Sequence, residues 1–153
     1  MTIKELQAQL AHRLNSVDDL IQGGCKAFAE DSRTVYDEAA EYVNGGGVAL
    51  VVVTPDLARA ADGDAEGLVP FEGDIVVKCI EKAPLTGGTA TLRALDAAEI
   101  VVYELDGAVF GWKSTRQTAD ARNEVFTVSV TFGYAGRFAR RPPESTETTT
   151  QGE

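Results

Sequence analysis

Residues 124–134 read EVFTVSVTFGY. Val125, Thr127, Ser129 and Thr131 fall on one side, and Phe126, Val128, Val130 and Phe132 on the other. A period of two belongs to a strand, because helical faces repeat every 3.6 residues. One face is apolar and the other mostly hydroxyl-bearing, so this strand has one side to bury and one that tolerates water.

The other segments fit around it. Residues 48–55, VALVVVTP, form a β-branched run of strand length closed by Pro55, which reads as a buried strand. Residues 25–31 and 71–82 predict two further strands, and Phe110 and Trp112 alternate within a fifth over 108–115. Ile3, Leu6, Leu10, Leu14, Val17 and Ile21 recur at helical spacing, and Thr2 with Glu5 has the spacing of a capping box. A break near Asn15-Ser16 is expected, with Ser16 and Asp19 recapping a short second helix. Ser32 is placed as N-cap of a helix to Val43, and Thr89 as N-cap of another to Leu105. Residues 56–70 and 116–123 read as polar loops.

Short connections between successive strands predict an α+β domain over 1–136: a mostly antiparallel sheet of four to five strands, with helices packed on one face. After Gly136 the sequence RFARRPPESTETTTQGE has too little apolar surface to order itself, so 137–153 is expected to be a flexible tail.

The net charge is −10, and the longest basic cluster is Arg140-Arg141. Binding to nucleic acid through phosphates needs a positive face that this composition does not advertise. No apolar run approaches the ~20 residues of a membrane span. The charged start, MTIKELQAQLAHRL, is unlike a secretory signal, which makes the cytoplasm the expected site of synthesis.

Tests for chemistry come out empty. The strand–Gly87-Gly88–helix order resembles a phosphate loop, but the glycines are adjacent and the next cation is Arg93, so neither P-loop nor dinucleotide spacing is met. Asp62, Asp64 and Glu66 alternate as in a calcium loop, yet position twelve is Gly73. Cys25, Cys79 and the single histidine, His12, have no metal spacing, and both cysteines read as reduced thiols. Asp96 and Glu99 read as a solvated helix face; Phe110, Trp112, Phe126 and Phe132 read as core. No catalytic, cofactor-binding or metal residue is singled out, and no cofactor is expected. The regions expected to project as interfaces are Asp56 to Pro70, Arg116 to Asn123 and the C-terminal tail.

The succession GVALVVVTP, FEGDIVVKCIEKAPL, ATLRALDAAEIVVYELDG and EVFTVSVTFGY resembles the tail terminator and minor tail (head–tail joining) proteins of long-tailed phages and prophages. Val77, Cys79 and Glu81 match that group's V-x-V-x-E strand, and Ala98-Glu99 its Ala-Glu pair; Leu85-Thr86-Gly87-Gly88 stands where the group commonly has Asn-Arg. The resemblance implies a non-enzymatic virion protein that forms a homo-oligomeric ring, often six-fold. Such a ring caps the tail tube and joins it to head–tail connector proteins. DNA would be passing cargo, for which an acidic lumen is suited. The implied location is the host cytoplasm during assembly and then the virion tail, with no membrane. The residues leave open a different head-completion, neck or tail-assembly adaptor protein, and a small ligand-binding domain or enzyme.

Overall fold

The computed structural model describes residues 2–60, 68–82 and 90–139. In chain order they form α1 (Ile3–Leu14), α2 (Asp18–Gln22), β1 (Cys25–Ala29), α3 (Thr34–Asn44), β2 (Val48–Val52), β3 (Asp56–Arg59), β4 (Leu68–Lys82), α4 (Ala94–Leu105), β5 (Phe110–Asp120) and β6 (Val125–Ala139). The strands make one sheet in the order β1-β2-β4-β6-β5, and β3 pairs with β4 beyond the end of β2. β1 and β2 run parallel and are joined through α3; the other pairings are antiparallel. The fold is α+β with a mostly antiparallel sheet.

The alternation in β6 does what its pattern requires. Val128, Val130 and Phe132 are buried beside Cys79, Val77 and Ile75 of β4, their register partners, under α1, α2 and α4. β2 is buried at all five positions because both its faces are covered. Val48, Leu50 and Val52 join the main core, while Ala49 and Val51 meet Val35, Ala39 and Val43 of α3. Three helices thus share one face, as expected, and α3 lies on the opposite one. An unbroken apolar strand needs such a second cover.

The capping box forms: Glu5 N–H donates to Thr2 Oγ1 at 3.1 Å, and Thr2 N–H to the Glu5 carboxylate at 2.7 Å. The break after α1 falls where expected, but it resets the helical phase. Leu20 takes the buried place, and Ile21 is 52% exposed. The side chain of Asn15 turns to the edge strand β1, accepting from Ala27 N–H at 2.8 Å and donating to Ala27 C=O at 3.0 Å. It occupies backbone groups that another strand could otherwise use.

Several boundaries differ from expectation. Four to five strands become six because 56–59, read as loop, pair with β4. Gly73 permits that approach: a Cβ there would sit 2.0 Å from the Asp56 carbonyl oxygen. β5 runs on to Asp120, shortening the turn before β6, because its polar residues need no cover on an edge strand. β6 continues to Ala139, past Gly136, paired with Leu68–Pro70. At Gly136 the missing side chain makes room for the Phe71 ring, which stacks on Phe138 with centroids 4.3 Å apart. α3 is preceded by Arg33 and α2 by Val17, both without a side-chain cap; Ser32 Oγ instead pairs with Thr34 Oγ1 at 3.0 Å, and Ser16 Oγ donates to Arg13 C=O. α4 starts at Ala94, with Arg93 and not Thr89 before it. Residues 140–153 lie outside the described residues.

Candidate functional site

The residues tested for chemistry are kept apart. His12 is exposed on α1. Cys25 in β1 and Cys79 in β4 are free and buried. β2 runs between them, pairing Val48 with Cys25 and Leu50 with Cys79. Two strand spacings, roughly 9–10 Å, are beyond the reach of a disulfide. Burial pushes the Cys25 thiol up to about 11 and that of Cys79 higher still, so neither offers a thiolate at neutral pH. Among the described residues no three His, Cys, Asp or Glu side chains come together as a metal site. Asp62, Asp64, Glu66, Gly87, Gly88 and Thr89 lie outside the described residues.

Two polar joints were missed in the sequence. Glu81, 9% exposed, accepts from Arg93 in a forked arrangement: Nε lies 3.0 and 3.2 Å from the two carboxylate oxygens, and a terminal nitrogen 3.1 Å from one. The Arg93 N–H donates to Asp96 at 3.0 Å, so Asp96 caps α4 and is not simply a solvated carboxylate. Together they pin the start of α4 to the end of β4. The only sequence signal was a glutamate on the buried parity of a strand.

The second joint lies where β1 and β2 end. Gln7, buried on α1, donates to Glu30 C=O and Val52 C=O, both at 3.2 Å. The Glu30 carboxylate accepts from Thr54 N–H at 2.9 Å and from the Tyr36 hydroxyl. Burial works to raise the pKa of Glu30, but these hydrogen bonds outweigh it and hold the carboxyl below its usual range. Burial, and then the bond to Glu30, push Tyr36 up to about 12.

The surfaces carry more. A groove of about 490 Å³ lies between α4 and β5, lined by Leu95, Ala98, Val102, Tyr103, Trp112 and Thr115. Trp112, expected in the core, is 49% exposed there, because β5 is an edge strand that reaches past α4. A bulge at Lys113 sends its ammonium 2.8 Å from Asp74.

On the opposite face α3 covers only the β1–β2 half of the sheet. The β4-β6-β5 half is open, with Lys78, Ser129 and Arg116 in one cross-strand row and Ile80, Thr127 and Thr118 in the next. Where α3 meets this open half there is an apolar groove of about 220 Å³, lined chiefly by Tyr36, Ala40, Val43, Ile80 and Val125.

The chain matches no protein-family profile and no curated protein. Its fold does match a solved one. That structure is a chain in the virion of a native gene transfer agent particle, with a TM-score of 0.57 over 87% of this chain and 95% of that one. Sequence identity is 16%, so what the two share is the fold.

Proposed function

We propose that the protein is a structural component of a phage-like virion, of the tail terminator kind, whose copies form a ring that caps the tail tube and joins it to the head. One observation carries the reading: nearly the whole of both chains superposes on one fold, and the other chain belongs to a virion particle. The succession of strands and helix shared with tail terminator and minor tail proteins supports the finer role. The exposed edge of β5 and the aromatic groove beside it supply surfaces suited to neighbours in an assembly. In this reading the chain performs no catalysis.

The test is reconstitution with a tail tube protein of a long-tailed phage-like particle. Light scattering and negative-stain imaging should find rings, free or seated on tube ends. Tube ends that stay bare, with no rings at any concentration, would refute the terminator role.

A further inference from the structure

The face of the sheet that carries α3 holds charges of opposite sign, side by side, that make no salt bridge among the described residues. Lys78 and Arg116 share a cross-strand row on the open half, and Lys82 lies further along β4 at the groove. Among the described residues none of the three makes a salt bridge. The acids nearest this area are engaged: Asp74 with Lys113, Asp120 with Asn123 and the turn amides, and Glu30 with Thr54 and Tyr36, its carboxylate also feeling the Lys78 charge without a salt bridge. On α3 the sheet-facing positions are Val35, Ala39 and Val43. Asp37 and Glu41, one turn apart, therefore project from the helix away from the sheet. Neither has an ion-pair partner among the described residues. The flank of α3 that faces the open half holds Tyr36, Ala40 and Asn44, with small Ala40 at its centre.

We propose that this face binds a second copy of the chain about a two-fold axis running along the strands, α3 of each copy seated on the open half-sheet of the other. A ridge beside a vacant floor on one face is self-complementary under such an axis. The rotation that places one copy's α3 over Lys78 and Arg116 returns the other α3 to the equivalent place. Asp37 and Glu41 of each copy then meet the cations of its partner. The two α3 helices lie side by side between two sheets, and their Ala40 flanks meet and fill the apolar grooves. Each α3 has 11 residues, so it is about 16 Å long, and two such footprints bury on the order of 1,000 Å², the lower bound for a specific interface. The contact uses neither the β5 edge nor the α4–β5 groove, so it stands apart from the ring reading and can hold whether or not that reading does.

The experiment is a charge exchange on the full chain, followed by sedimentation equilibrium in low and moderate salt. The wild-type protein should be a dimer that weakens as salt is added. Asp37→Lys with Glu41→Lys repels at both contacts, as does Lys78→Glu with Arg116→Glu; each variant alone should dissociate with a Kd raised at least about tenfold. An equimolar mixture should recover the dimer mass, because in the mixed pair both contacts are complementary again. As a measurement independent of charge, Ala40→Cys should give a disulfide-linked dimer on mild oxidation, whereas Glu38→Cys, on the β1 side of α3, should not. A wild-type monomer at every concentration, single variants that keep the dimer mass, or a mixture that fails to associate while both variants show native circular dichroism would overturn the proposal. So would cross-linking that is equal at the two cysteine positions.

Discussion

The pair Glu81–Arg93 is asymmetric, and the asymmetry makes a prediction. The Glu81 side chain is 11% exposed, that of Arg93 53%. Losing the arginine strands a carboxylate where water barely reaches it; losing the carboxylate leaves a guanidinium that water can still solvate. Arg93→Met should therefore cost about 3 kcal/mol, the low end for breaking a buried pair. Glu81→Gln keeps the shape and one acceptor, and should cost about 1 kcal/mol. In the Glu81→Gln background the Arg93→Met change should fall to roughly 1 kcal/mol, a coupling of about 2 kcal/mol across the double-mutant cycle. Urea unfolding at neutral pH measures all four corners. Thermal melts offer a check, since each kcal/mol moves the midpoint by about 2–4 °C in a chain of this size. If Glu81→Gln cost as much as Arg93→Met, or if the two losses simply added, the pair would not be the joint that fixes α4 to β4.

Further outcomes follow from the packing. Tyr36 has its proton held in the folded state up to about 12, against about 10 in the unfolded chain, so its contribution is complete below pH 10 and is lost as pH rises toward 12; Tyr36→Phe should flatten the fall in melting temperature over that window. The Glu30 carboxyl is held low, so its share is present above the unfolded value and is lost as pH falls through the folded one; Glu30→Gln should flatten the acid limb below the ordinary carboxylate range. Gly73→Ala places a methyl 2.0 Å from the Asp56 carbonyl oxygen, and forcing β3 away should cost roughly 2–3 kcal/mol, read by denaturant titration; a neutral result would mean that β3 does not pair there. Cys25 and Cys79 should resist a thiol reagent at pH 8 in the native protein and react promptly in denaturant, and fast native labelling of Cys79 would contradict its burial.

Where the sequence carries a period, it predicts the structure well. The alternation in β6, the apolar run of β2 and the Thr2–Glu5 box each name their own geometry, because each depends on residues close together in the chain. What stayed hidden depends on residues far apart. β3 is four residues with no apolar alternation, and it exists because β4 offers it an edge and Gly73 offers it room. β5 looks like loop beyond Thr115 because an edge strand exposed on both sides has no face to mark with apolar residues. Arg93 and Glu81 are separated by a loop, and only the return of the chain brings them together. The charges follow the same rule. An overall −10 implies an acidic surface everywhere, yet on the open half-sheet the strand register gathers Lys78, Lys82 and Arg116, while the acids Asp37 and Glu41 fall on the adjoining helix. Net charge is a sum over the whole chain, whereas recognition depends on which residues the register places next to one another. The face proposed to meet a second copy is thus set by the pairing of β4, β6 and β5, which no local window of the sequence contains.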